Sequence, residues 1–254
     1  MMDQRAAHAP PLLDSGAPDF AARARALGYP LAAGAVAFDL DGTLLDTAED
    51  LATAANLMLA ELGHAPLPVA TVRDFVGKGL VNLVRRSLAA VTGAEPDPAL
   101  MERATAACRG HYREHLCVAT RPYPGVIEAL DSLRAAGLPL AVVTNKPDEF
   151  TGSLLERAGL AEYFGLVIGG DTLPRKKPDP LPLTHTARHF GVAPSRLLMV
   201  GDSANDALAA RAAGCPVFLV PYGYSEGADV RALDCDAIVA TLCDVPRLVR
   251  KAQS

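Results

Sequence analysis

Short apolar runs alternate with helical patterns along most of this chain, and that rhythm restricts the available folds more than any other feature. Ala35-Val-Ala-Phe-Asp39, Leu138-Pro-Leu-Ala-Val-Val-Thr-Asn145, Leu166-Val-Ile-Gly-Gly170, Leu197-Leu-Met-Val-Gly-Asp202 and Pro216-Val-Phe-Leu-Val220 read as buried strands, with Ala237-Ile-Val-Ala240 as a candidate sixth. Runs that are apolar on both faces belong to parallel sheets covered on both sides, because a half-exposed strand would alternate with polar residues. Helical segments run between them over 126–136, 149–158, 181–190 and 204–213, and they stop at Gly137, Gly159, Gly191 and Gly214. A glycine just past a helix can take the left-handed conformation that ends it. Strand, helix, strand in repetition predicts an α/β fold, a three-layer Rossmann-like parallel sheet.

One stretch breaks the rhythm. From Thr47 to Tyr123 no strand run is visible, while Leu51, Ala55, Met58, Leu59 and Leu62 fall at helical spacing, and Val81, Leu83, Val84 and Leu88 suggest another helix. The expectation is an all-helical cap domain over 47–123 inserted into an α/β core of 34–46 and 124–254. Residues 1–33 are rich in Ala and Pro and are expected to be a poorly ordered extension, with one short helix near Phe20–Leu27.

Composition removes several function classes. The formal net charge is -5 with no long basic run, so no nucleic-acid partner is expected, since phosphate contacts need clustered Lys and Arg. No apolar stretch is long enough to span a bilayer and Met1–Gln4 open no signal-peptide pattern, so no membrane partner and a cytoplasmic location are expected. The five cysteines form no C-x-x-C pair, which argues against a thiolate zinc site and fits a reducing compartment. His185 and His189 have zinc-like spacing, but no Glu follows His185, so the metalloprotease pattern fails.

The chemistry-bearing residues sit at the carboxyl ends of the expected strands, where open parallel sheets bind ligands. Asp39 and Asp41 follow the first strand, and two close carboxylates in a buried site need a cation, a shared proton or a basic partner. Thr144, Asn145 and Lys146 follow the second, offering hydrogen-bond donors to phosphoryl oxygens. Lys177 lies in the segment Arg175-Lys-Lys-Pro-Asp-Pro180 ahead of a helix. Asp202 ends a strand and Asp206 follows near a helix start, where an acidic residue can cap the helix or bind a hard cation such as Mg2+.

These four segments, in this order, resemble the haloacid dehalogenase superfamily of phosphohydrolases from Gly34 to the C-terminus. Within it, Asp39-Leu-Asp-Gly-Thr-Leu-Leu-Asp-Thr47, Arg175-Lys-Lys-Pro-Asp-Pro180 and the stretch Gly201–Cys215 look like the group of bacterial phosphoglycolate phosphatases. The resemblance implies that Asp39 is the nucleophile, phosphorylated in the reaction, and that Asp41 is the acid/base. It implies Mg2+ as cofactor, held by Asp39, Asp202 and the main-chain carbonyl of Asp41. Thr144 and Asn145 would cradle the phosphoryl group and Lys177 would neutralise it. Asp206 and Ser203 would support the site from behind. Asp41 also separates this chain from dehalogenating and phosphonate-cleaving members, which lack that carboxylate.

The implied substrate is a small phosphorylated metabolite, 2-phosphoglycolate first, with a sugar phosphate, a nucleotide or pyrophosphate as alternatives. A phosphate-binding regulator without turnover is a further alternative. Substrate choice is expected in the cap, where Lys78, Arg85 and Arg86 are candidate carboxylate ligands. The assembly is expected to be a monomer or a homodimer.

Overall fold

The computed structural model describes residues 29–225 and 227–252. Strand β1 (Leu31–Ala33) leads into β2 (Ala35–Phe38) and a short β3 (Leu45–Asp46). Four helices follow: α1 (Ala48–Glu61), α2 (Val69–Arg73), α3 (Leu80–Thr92) and α4 (Pro98–Glu114). The chain then returns through β4 (Arg121–Pro122) to α5 (Val126–Ala135), β5 (Leu140–Val143), α6 (Asp148–Arg157) and β6 (Leu166–Ile168). It continues with α7 (Leu181–His189), β7 (Leu197–Gly201), α8 (Ala204–Ala213), β8 (Val217–Leu219) and β9 (Ala237–Ile238). A short α9 (Val245–Leu248) and β10 (Val249–Lys251) end the described residues.

The main sheet has six parallel strands in the order β6-β5-β2-β7-β8-β9. Its strands lie at or close to the apolar runs, because both faces are covered. On one face Val36, Phe38, Leu140, Val142, Leu198 and Val200 join a core with α5 and α6. On the other, Ala35, Ala37, Ala141 and Met199 pack against Leu183 and Ala187 of α7 and Ala207 and Ala210 of α8. The small alanines on that face let the two helices lie close to the sheet. Burying one leucine-sized side chain stabilises the fold by about 1.5–3 kcal/mol, so both faces contribute. The four helix-ending glycines all take positive φ.

The helices α1–α4 lie between β3 and β4. Those two strands pair antiparallel, Leu45 with Pro122 and Asp46 with Arg121, and so form a two-stranded neck. Asp50, nearly fully buried, closes the neck by accepting hydrogen bonds from Ala119 N, Thr120 N and Thr120 Oγ1 at 2.6–2.9 Å. A two-residue strand carries no readable period, which is why β4 was invisible inside the stretch that the sequence pattern left without strands.

One further expectation needs correction. Residues 31–33 are not an unstructured extension: β1 pairs parallel with β10, and Ala252 N donates to Ala33 O. This pairing joins segments more than two hundred residues apart, beyond any local pattern. The short helix expected near Phe20–Leu27 lies outside the described residues. No helix among them is long and apolar enough to cross a membrane.

Candidate active site

Strand β2 lies between β5 and β7, with Phe38 in register with Val142 on one side and Val200 on the other. Neighbouring strands lie about 4.8 Å apart, so the residues just past these ends must converge. Asp39, Thr144 and Asp202 come together this way, and the loop before α7 brings in Lys177.

Lys177 joins the carboxylates. Its Nζ lies 3.0 Å from Asp39 Oδ1 and 2.6 Å from Asp206 Oδ1, with both Lys177 and Asp206 all but inaccessible to solvent. Asp206 is held in turn. Its Oδ2 accepts from Ser203 N at 3.1 Å, Ser203 Oγ at 2.7 Å and Asp202 N at 3.3 Å, in a capping arrangement at the start of α8. Asp39 Oδ1 also accepts from Leu40 N at 2.7 Å, while Oδ2 has no hydrogen-bond donor among the described residues. The nucleophile candidate is thus fixed through one oxygen, with the other left for a ligand.

Asp41 has a separate set of partners. Lys146 Nζ lies 2.9 and 3.2 Å from its two oxygens, and Thr47 Oγ1 donates to Oδ1 at 2.8 Å. Each of the two carboxylates therefore has its own lysine. Burial alone would lower the pKa of Lys146, but Asp41 outweighs it and the net shift is upward, so the ammonium stays charged. Lys177 shows the same balance, with Asp206 and then Asp39 overcoming its burial.

Asp202 Oδ2 accepts from Tyr224 N, and Thr43 Oγ1 donates to Oδ1 at 3.3 Å. The surroundings are tight. A Cβ at Gly42, which has φ +88°, or at Gly223 would lie 2.2 Å from Asp202 Oδ2, so both positions need glycine. Tyr224 also reaches the neck: its hydroxyl accepts from Thr47 N at 2.7 Å and Ala48 N at 3.0 Å, and donates to Asp46 Oδ1.

Asp39, Asp202 and Asp206 offer buried oxygens within 4.8 Å of one another. Burial pushes the Asp39 carboxyl up to about 6 against the pull of Lys177, with Asp206 adding to the rise. Asp202 is raised as well, first by burial and then by Asp39 and Asp206. Carboxylates held this close repel, and a divalent cation with a preference for oxygen ligands relieves them. The donor set therefore fits a hard metal ion. Asp206 is the least suited to bind it, because both its oxygens are taken by Lys177, Ser203 and Asp202 N.

A cavity of about 30 Å3 lies over these residues. Asp39, Asp41, Thr144, Asn145 and Lys146 line it from the core, and Leu51, Val76, Leu80, Leu83 and Tyr112 from the helical unit. Thr144 Oγ1 accepts from Lys146 N at 3.2 Å and keeps its own hydrogen to donate. Asn145 departs from expectation. Its Nδ2 donates to Gly77 O at 3.0 Å and Lys177 O at 2.9 Å, so its side chain ties the core to the helical unit and has no donor left for a phosphoryl oxygen.

The cap candidates also depart from expectation. Arg86 donates to Asp74 O and lies over the Phe75 ring, with its guanidinium carbon 4.4 Å from the centroid. Arg85 pairs with Glu95, and Lys78 contributes its carbonyl to Lys176 Nζ. None of the three lines the cavity. Helical spacing alone could not tell which face of α3 turns inward. Lys146 was visible as a cation at a strand end, but its pairing with Asp41 was not. Tyr112 gave no signal beyond an aromatic in a helical stretch.

Three comparisons bear on this arrangement. A family model described as a haloacid dehalogenase-like hydrolase matches residues 33–214. A phosphoglycolate phosphatase of Nitrosospira multiformis is 55% identical over 88% of this chain and 99% of its own length. One from Thiobacillus denitrificans is 52% identical over the same shares. A solved structure from Haemophilus somnus, described as a predicted phosphoglycolate phosphatase, is 33% identical with a TM-score of 0.80, covering 84% of this chain and 96% of that one. With the family model spanning most of the chain and such identity along it, this chain belongs to the haloacid dehalogenase-like hydrolases.

Proposed function

We propose that this chain hydrolyses small phosphate monoesters, 2-phosphoglycolate foremost, through transient phosphorylation of Asp39 and with Mg2+ as cofactor. The observation that carries the reading is the separation of the two carboxylates by two lysines. Asp39 is held on Lys177 and Asp41 on Lys146. Two acids with different partners can perform different tasks. Asp39 Oδ2 attacks phosphorus, and Asp41 gives a proton to the departing alkoxide oxygen and later takes one from the hydrolytic water. Lys177 offsets charge on Asp39 and the phosphoryl oxygens, and Thr144 Oγ1 donates to one of those oxygens. Asp39 and Asp202, with the Asp41 carbonyl, would hold Mg2+, which supplies positive charge for bringing an anionic nucleophile to an anionic ester.

The helical unit 47–123 acts as a cap that shuts the site from water. The substrate assignment is supported by the names of the relatives above, which cover nearly their full lengths.

The test is phosphate release from a panel of small phosphate esters with Mg2+, using Asp39→Asn as control. Release steepest with 2-phosphoglycolate, and abolished by EDTA and by Asp39→Asn, is expected. Comparable rates on every ester would discard the substrate, and no turnover of any ester by folded protein would discard the chemistry.

A further inference from the structure

The cavity has a polar feature that phosphoryl transfer does not use. Tyr112 of α4 is 1% exposed and lines the cavity, and its hydroxyl finds no hydrogen-bond acceptor among the described residues, with the Lys146 ammonium as its polar neighbour. A buried hydroxyl left unpaired costs free energy, so such a group in a native protein calls for a partner that arrives later. Its ring edge-packs on Phe150, with centroids 4.9 Å apart, which fixes the direction of the side chain. Lys146 Nζ lies 4.7 Å from the same ring centroid. This ammonium has three hydrogens, and its contacts to Asp41 engage two oxygens of one carboxylate.

We propose that the Tyr112 hydroxyl and the Lys146 ammonium together receive a carboxylate on the leaving group of the substrate. This rests on the phosphomonoesterase reading above and adds the group that selects the ester. A phenol and an ammonium both donate to a carboxylate oxygen, and the phenol has nothing to accept its hydrogen until an anion arrives. The rest of the cap wall near them, Leu51, Leu80 and Leu83, offers no competing donor and keeps water out, which strengthens both contacts. The cavity is small, about 30 Å3. That favours a two-carbon acid over a sugar or a nucleoside. Lys146 thereby has two tasks, orienting Asp41 and meeting the carboxylate, whereas Tyr112 has the second alone.

The test compares 2-phosphoglycolate with ethyl phosphate, which keeps the ester and replaces the carboxylate by a methyl group. In Tyr112→Phe, kcat/KM for 2-phosphoglycolate should fall about tenfold or more, while that for ethyl phosphate stays within about twofold, since a site built to hydrogen-bond a group loses most on the substrate that has it. Lys146→Met should lower both substrates through Asp41 and 2-phosphoglycolate further. The melting temperature of ligand-free Tyr112→Phe should hold close to that of the wild type, because the hydroxyl donates to no acceptor among the described residues. An unchanged ratio of the two substrates, or an equal fall on both, in a Tyr112→Phe protein of normal melting temperature would overturn the inference. So would a fall in melting temperature, which would give the hydroxyl a structural partner. Wild-type protein that hydrolyses both esters equally would overturn the inference and leave the phosphatase reading standing. Wild-type protein that hydrolyses neither would overturn that reading first.

Discussion

The two walls of the cavity are built on opposite plans. The core wall carries fixed charge: Asp39, Asp41 and Lys146 line it, Lys177 and Asp206 stand behind Asp39, and their ion pairs of 2.6–3.0 Å have little access to solvent. The side chains of the cap wall are apolar apart from one hydroxyl that has no acceptor among the described residues. On the proposed function, the core wall contains what any phosphate ester needs, namely a nucleophile, a proton donor and fixed positive charge. On the inference above, the cap wall contains what distinguishes one ester from another. The plans differ because charge must be positioned before the reaction to stabilise a transition state, whereas selection needs only a shape and a donor that wait for the right partner.

The strongest way to break the comparison is Lys177→Met. It leaves Asp39 and Asp206 buried without their cation, and breaking a buried pair costs about 3–5 kcal/mol. Thermal denaturation should show that loss along with near-complete loss of phosphate release, and a protein of normal stability would sink the claim that the core wall depends on paired charge.

Tyr224→Phe tests how the core wall is joined to the neck. It removes the acceptor of Thr47 N and Ala48 N but keeps the main-chain hydrogen bond to Asp202. Two donors lose their partner at about 1–3 kcal/mol for a buried one. Chemical denaturation should show a loss of that size, with a reduced kcat if the neck sets cap closure. Unchanged stability would separate Tyr224 from the neck.

The third prediction concerns pH and metal. A carboxyl with its folded pKa above its unfolded one adds stability below the unfolded value, near 3.8, and loses it as pH rises through the folded value of about 6. Metal-free protein should therefore lose stability through Asp39 between about pH 4 and pH 6, and Asp39→Asn should lack this component. At pH 7 Mg2+ should raise the melting temperature by a few degrees, since about 1 kcal/mol moves the midpoint of a chain this size by 2–4 °C. Parallel melting curves for wild type and Asp39→Asn across that window would remove the account of Asp39 as a carboxyl raised by its burial.

The smallest effect is expected from Arg85→Ala. This residue pairs with Glu95 at an exposed site off the cavity, so stability should change by about 0–1 kcal/mol and kcat/KM for 2-phosphoglycolate should not change. A clear rise in KM would return cap specificity to the arginines of α3.

Much of this was legible in the chain itself. The apolar runs from Ala35 to Val220 located the main strands because burial on both faces leaves a continuous signal. Asp39, Asp41, Thr144 and Asp202 stood out because polar residues at the ends of buried strands have no packing reason to be there, and Lys177 through its place in Arg175-Lys-Lys-Pro-Asp-Pro180 ahead of a helix. The pairing of β1 with β10 was not legible, since short edge strands are defined by a distant partner and not by their own pattern. Nor was the use of Asn145, whose amide is committed to two carbonyls that come together only in the fold.

The sequence alone determined the α/β core, the inserted helices and the chemical types gathered at the strand ends, because periodicity and residue type are local properties. Only the tertiary structure decided which charge meets which: Lys177 with Asp39 and Asp206, Lys146 with Asp41, and Tyr112 over the cavity in place of Lys78 and Arg86. Such pairings depend on distances of about 3 Å between residues far apart in the chain, and only packing sets those distances.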